Sequence, residues 1–184
     1  MRVVFLSPRY PQEMRQFTRG LAEVGAEVLG VGDGSPEPEL RRYLSGYLEV
    51  PSIMDEDDVI ARVQGWLRGR SIDRVLANWE PLVILAAKMR ERWGIPGMSV
   101  DTVMGFRDKQ LMKERVRAAG LRVPRSRRVK TEAEMRAAAE EIGYPLVVTP
   151  ISGAGSADTY RCGSRAELDA ALAKMGNVTE ASCE

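Results

Sequence analysis

Tyr144-Pro-Leu-Val-Val-Thr-Pro-Ile-Ser-Gly-Ala-Gly-Ser-Ala-Asp-Thr-Tyr160 is the stretch on which the reading of this chain turns. Leu146, Val147 and Val148 are apolar and mostly β-branched, which predicts a strand. Pro150 has no N–H to donate and is expected to end ladder pairing. Gly153, Ala154, Gly155 and Ser156 follow as a small-residue loop, and Thr159-Tyr160 resumes an extended segment. A hairpin with such a tip lets a ligand come close to the backbone. Its successive N–H groups, with the Ser156 hydroxyl, suit an anion such as phosphate. A plain turn is the competing reading of the same residues. No Gly-Lys-Ser/Thr follows, so the loop is not a P-loop.

The flanks place this hairpin in a small unit. Thr131 and Glu134 form a capping box for a helix burying Met135, Ala138, Ala139 and Ile142, with Gly143 as its stop. Ser164 and Glu167 form a second box, for a helix using Leu168, Ala171, Leu172 and Met175 before Gly176. Helix, strand, glycine loop, strand and helix therefore make residues 131–184 a small α+β lid. Residues 101–130 read as connecting helices. Asp101 caps the first, which Gly105 interrupts; Asp108 caps the second, with Leu111, Met112, Arg115, Val116 and Ala119 on or near its inner face. Lys113 reads as part of a solvated helix face. Leu121–Pro124 leads away as an extended connector.

Residues 1–100 alternate strands with helices. Strands are predicted at Val3–Leu6, Glu27–Val31, Leu48–Val50, Asp73–Ala77 and Ile95–Ser99. The intervening helices bury Met14, Phe17, Leu21 and Val24, then Val59, Ile60, Val63, Trp66 and Leu67 after an Asp55 cap. A last one buries Leu82, Leu85, Ala86, Met89 and Trp93 behind Pro81. Such βα alternation predicts a Rossmann-like parallel sheet of five strands, covered on both faces. Ligands of such sheets lie beyond the carboxyl ends of the strands, here Ser7-Pro8-Arg9, Gly32-Asp33-Gly34 and Asn78-Trp79-Glu80. No GxGxxG follows the first strand, which argues against a dinucleotide site. Asp33 and Glu80 read first as turn and capping residues.

Composition narrows the chemistry. The 184 residues are 44% hydrophobic, enough for one or two small domains. With 27 basic and 26 acidic residues the formal net charge is +1, and no field of one sign favours nucleic acid or membrane as a partner. There is no histidine, so the usual general base is missing and a metal would need oxygen ligands. Cys162 and Cys183 lack CxxC spacing, and no run approaches membrane-spanning length. A cytoplasmic location is the expectation.

Asp108-Lys109, Gly120-Leu-Arg-Val-Pro124, Gly143-Tyr-Pro-Leu-Val-Val148 and Pro150 through Ser156 together resemble the ATP-grasp superfamily of carboxylate–amine ligases, in its biotin carboxylase and carbamoyl phosphate synthase branch. The resemblance covers nearly the whole chain. It implies an α/β fold: a parallel pre-ATP-grasp domain at 1–100, followed by the ATP-grasp lid. It implies ATP as ligand and ATP-driven activation of a small-molecule carboxylate through an acyl-phosphate, for attack by an amine or similar nucleophile. Lys109 matches the family lysine that reaches the ATP phosphates, and Gly153, Ala154, Gly155 and Ser156 match the phosphate loop. Glu184, or Glu180, matches the start of the hinge strand that holds adenine and ribose.

Two departures qualify what the resemblance implies. The family strand ends in a lysine where this chain has Thr149, a hydroxyl without charge. The chain also stops where the family's C-terminal sheet begins, so the Mg2+ ligands expected for the family fall outside it. A second chain or a missing C-terminal half is the partner this implies. The expectation is an ATP-binding N-terminal portion of a ligase, incomplete for catalysis by itself. A non-catalytic nucleotide-binding or regulatory module is the alternative, and an α/β protein with an unrelated glycine turn is a third.

Overall fold

Val3, Val4, Phe5 and Leu6 are all fully buried, the signature of a strand with neighbours on both faces. The computed structural model describes residues 1–153, 155, 157–175 and 180–184, and the chain divides into two units, Met1–Val103 and Met104–Glu184. In the first, β1 (Arg2–Leu6), α1 (Met14–Glu23), β2 (Glu27–Gly32), α2 (Pro38–Arg41), β3 (Gly46–Glu49), α3 (Glu56–Leu67) and β4 (Arg74–Leu76) follow in turn. A 3-10 turn at Glu80–Leu82 then leads into α4 (Val83–Trp93), and α5 (Val100–Arg107) runs across the division. The sheet is parallel, in the order β3-β2-β1-β4. Val4 and Leu6 pack with Leu29, Val31 and the inner residues of α3 and α4, whereas Phe5 and Val28 pack with Met14 and Leu21 of α1. Both faces are covered, as the alternation requires.

Several details differ from the sequence reading. Phe17 and Val24 of the first helical segment are exposed, and Thr18 is buried instead. Its hydroxyl donates to the Pro8 and Met14 carbonyls, both at 3.0 Å, which satisfies a polar group that apolar periodicity does not register. The predicted fifth strand at Ile95–Ser99 does not form, and the sheet has four strands. Pro96 and Gly97, at φ +153°, break the extended run. Arg90 takes the place of a ladder: Nη1 donates to the Val75 carbonyl at 3.0 Å, while Nε and Nη2 donate to the Met98 carbonyl at 3.2 and 3.0 Å. Ser99, not Asp101, caps α5, accepting from the Thr102 N–H at 3.1 Å. Gly105 does not interrupt α5; a Cβ there would lie 2.7 Å from Arg115 Nη1.

The second unit continues with α6 (Lys109–Ala118), β5 (Arg127–Val129), α7 (Glu132–Ile142), β6 (Leu146–Pro150), β7 (Tyr160–Cys162), α8 (Arg165–Met175) and β8 (Ala181–Cys183). Its sheet is antiparallel throughout, in the order β5-β8-β6-β7. Arg127–Val129, which the sequence places in the connector, is an edge strand. Thr131 accepts from the Glu134 N–H at 3.1 Å, and the Glu134 carboxylate takes the Lys130 N–H at 2.6 Å. The pair Ser164 and Glu167 repeats the arrangement, with Gly163 as the reciprocal donor. Both capping boxes form, each closing on the residue before the cap. The stop predicted at Gly176 lies outside the described residues.

Period-two alternation splits this sheet into two unlike faces. Val129, Leu146, Val148, Cys162, Ala181 and Cys183 pack with Met135, Ala138 and Ala139 of α7 and with Leu168, Ala171 and Leu172 of α8. The residues between and beside them, Arg128, Val147, Thr149, Arg161 and Ser182, belong to the opposite face. One face is apolar core. The other is polar except at Val147.

Candidate functional site

The polar face is ordered by strand register. Arg128 pairs with Ser182, and Ser182 pairs with Thr149, so the three side chains form one row across β5, β8 and β6. Thr149 extends the row, with its Oγ1 3.0 Å from Thr159 Oγ1. Thr149 and Ser182 are both buried, and hydroxyls in that position need partners.

Pro150 does not end the ladder. It is the last residue of β6 and pairs with Ala181, while the Ile151 N–H donates to the Glu180 carbonyl at 3.2 Å. Proline is tolerated here because Pro150 and Ala181 form a non-hydrogen-bonded pair, so its missing N–H would not have pointed at β8. The Pro150 carbonyl has a donor elsewhere. Lys109 Nζ donates to the carbonyls of Pro150 at 3.0 Å and Gly153 at 3.1 Å, and the Lys109 N–H donates to Ile151 at 3.2 Å. Arg107 donates to the Ser152 carbonyl. Four successive carbonyls at the base of the glycine loop are thus tied to two residues at the α5–α6 junction. Beyond them Gly155 has φ +61° with open space around the Cβ direction, and Asp158 has φ +52°. Left-handed backbone at the tip is where glycine is at no disadvantage. Ala154 and Ser156 lie outside the described residues.

Asp108 initiates α6. Its Oδ1 accepts from the Leu111 N–H at 2.9 Å and its Oδ2 pairs with Arg128. Burial raises the Asp108 carboxyl, but the Leu111 N–H and the Arg128 guanidinium outweigh it, and the group lies below its ordinary range. Arg128 also holds Glu180 Oε1 at 2.6 Å. Register, cap and ion pair therefore fix the same guanidinium.

Lys113 corrects the sequence reading most sharply. It is only 5% exposed, and its Nζ lies 3.2 Å from Ser182 Oγ and 2.5 Å from Glu184 Oε2. The expected inner face of this helix holds for Leu111 and Val116, which are half-buried, but Met112, Arg115 and Ala119 are exposed, while Lys109 and Lys113 turn inward. Apolar periodicity missed the two lysines because the helix faces a polar sheet surface. The i, i+4 spacing of Lys109 and Lys113 was the available signal. Glu184 carries its backbone in the ladder, with N–H to the Val147 carbonyl at 2.9 Å and carbonyl from the Val147 N–H at 2.5 Å.

A cavity of about 480 Å3 lies against the loop base, bounded by Pro150, Gly153, Asp158 and Glu180 among others. The loop backbone that bounds it, and Lys109 bonded to two of its carbonyls, suit a polyphosphate in charge and in donor chemistry. A divalent cation is served less well: among the described residues, no group of three or more His, Cys, Asp or Glu side chains could hold one. No described helix is long and apolar enough to cross a membrane.

Residues 108–183 match the family described as the ATP binding domain of the carbamoyl-phosphate synthase L chain. The chain is 33% identical over 95 residues to the alanine–anticapsin ligase of Bacillus subtilis (strain 168), covering 52% of this chain and 20% of that protein. Its fold superposes on the L-amino acid ligase of Bacillus licheniformis with a TM-score of 0.75 at 21% identity, over 99% of this chain and 43% of the other. It superposes equally on the N5-carboxyaminoimidazole synthetase of Staphylococcus aureus complexed with ADP, with a TM-score of 0.75 at 17% identity, over 100% of this chain and 46% of that one. The chain therefore spans less than half the length of these relatives.

Proposed function

We propose that the chain is the nucleotide-binding portion of an ATP-grasp carboxylate–amine ligase, a reading supported by the match of residues 108–183 to the ATP binding domain of the carbamoyl-phosphate synthase L chain. The observation that carries this reading is the anchored glycine loop: Arg107 and Lys109 hold the carbonyls of Pro150 through Gly153 beside the polar row of Arg128, Ser182 and Thr149. Lys109, Gly153 and Gly155 would hold the phosphates, with Ala154 and Ser156 completing the loop. Glu184 would meet the adenosine end. ATP supplies the phosphoryl group that activates a carboxylate for attack by an amine.

Each residue has a definable task. Lys109 offers a cation whose position is set by the loop it will serve, so binding needs little reorganisation. Thr149 shares a hydrogen bond with Thr159 but adds no charge. Asp108 fixes Arg128 and the start of α6 together. Phosphoryl transfer needs charge neutralised over the transferring oxygens, commonly by metal ions held on carboxylates. The carboxylates beside the polar row, Asp108, Glu180 and Glu184, are instead engaged in a cap and ion pairs. The chain is accordingly read as binding ATP and depending on a further segment or partner for the transfer, with a small-molecule carboxylate as substrate of the whole.

Isothermal titration with ADP and with Mg-ATP, beside an ATPase assay on the purified chain, tests this. Nucleotide binding without turnover is the expected result. Turnover that is lost in Gly155→Val would show a complete site. Absence of binding to either nucleotide would reject the reading.

A further inference from the structure

Lys113 is the buried cation that the loop does not use. A lysine this inaccessible is rare unless paired, and its pairing is unusual in kind. One partner is the Ser182 hydroxyl, at the centre of the polar row. The other is Glu184, whose side chain is 21% exposed and so sits at the rim. An ammonium has three N–H donors. An apolar side chain at this position would pack against the sheet without the desolvation cost of a charge.

Helix geometry adds a second argument. Lys109 and Lys113 are one turn apart on the same side of α6. Both ammoniums reach the β6–β8 part of the sheet: one at Pro150 and Gly153, the other at Ser182, register partner of Thr149. Position 149 lies next to position 150 in β6, so the two cations follow the strand that leads into the loop. Arg128, the other cation of the row, is committed to Asp108 and Glu180.

We propose that Lys113 supplies the phosphate-binding charge of the Arg128–Ser182–Thr149 row, exchanging Glu184 for a phosphate oxygen of the nucleotide. This rests on the reading of the polar face as the ATP site. Glu184 then becomes available to the rest of the nucleotide as Lys113 leaves it. The two events are coupled through one ion pair.

The test compares ADP with adenosine, which lacks phosphate, by isothermal titration at low and moderate salt. Lys113→Met should weaken ADP binding by about tenfold or more, reduce its salt dependence, and leave adenosine binding no weaker, since Glu184 is then released from its ion pair. Lys113→Arg keeps the charge and should retain ADP binding, which separates loss of charge from loss of fold. Adding Thr149→Lys to Lys113→Met should restore ADP affinity, because position 149 faces Ser182 directly. Thr149→Lys alone should not improve it, since it would bury a second ammonium near the first. Unchanged ADP affinity in Lys113→Met overturns the proposal. Equal losses for ADP and adenosine also overturn it, and would make Lys113 a positioning residue for Glu184. A parent chain that binds neither ligand rejects the nucleotide reading itself, and this proposal with it.

Discussion

Lys109 Nζ donates to the Pro150 carbonyl at 3.0 Å, joining the first turn of α6 to the last residue of β6 across 41 positions of sequence. The bond fixes where the glycine loop begins before any ligand contact is made. It also gives one lysine two duties, anchoring the loop and presenting charge.

Lys109→Ala removes both. ADP affinity is expected to fall by about ten- to a hundredfold, the range for a charge-assisted hydrogen bond, and by more at low salt, where charges are less screened. Amide hydrogen exchange at residues 151–153 should accelerate as well. A variant that loses affinity with no change in exchange would confine Lys109 to ligand contact.

Gly155 tests the loop tip. At φ +61° a side chain is strained by about 1–2 kcal/mol even though no atom lies within 4 Å of a Cβ placed there. Gly155→Val should weaken nucleotide binding by crowding the backbone approach, while Gly155→Ala does so less. Both should keep a cooperative unfolding transition, because the tip is exposed. Equal ADP affinity in all three proteins would reduce the loop to a turn.

Arg90 closes the edge of the parallel sheet with its bonds to Val75 and Met98. Arg90→Ala should destabilise the chain by about 1–2 kcal/mol, since the part-buried Val75 carbonyl loses a charged donor and the exposed Met98 carbonyl returns to water. Gly97→Ala should act in the same direction, its Cβ falling 2.6 Å from Arg90 Cδ. Urea denaturation of the two variants and of Arg92→Ala, an exposed neighbour, gives the comparison. Stability equal to the parent in Arg90→Ala would show that the 95–99 segment is held otherwise.

Burial pushes the Cys183 thiol up to about 11 from an ordinary 9.0. The folded state therefore holds this proton more tightly than the unfolded one. Its contribution is fully present below pH 9 and is lost as pH rises through about 11. Tyr47, raised by burial to about 12 from 10.0, extends the same loss to higher pH. Denaturation midpoints measured from pH 8 upward should fall, and less steeply in Cys183→Ala. At neutral pH a maleimide should label Cys162 and Cys183 only in denaturant, because both are buried. Rapid labelling of the native chain would contradict the packing of β7 and β8 against α7 and α8.

The local signals in the sequence were sufficient for much of this molecule. Val3–Leu6 and Glu27–Val31 announce buried parallel strands, Thr131/Glu134 and Ser164/Glu167 announce helix starts, and Gly153–Ser156 announces the loop. Each depends on residues within a few positions of one another, which is the range of capping, turn and periodicity chemistry. Tertiary structure decided the rest. Whether Ile95–Ser99 became a strand was settled by Arg90, whose guanidinium takes carbonyls of both segments. Whether Lys113 was solvated or buried was settled by Ser182 and Glu184, about seventy residues away. A single helix with cations at 109 and 113 has no inner face of its own. It acquired one only when the alternation of β6 and β8 put the Thr149 and Ser182 hydroxyls on the surface that receives it. The cost of burying a charge depends on the partners brought to it by folding, and those partners are not neighbours in the chain.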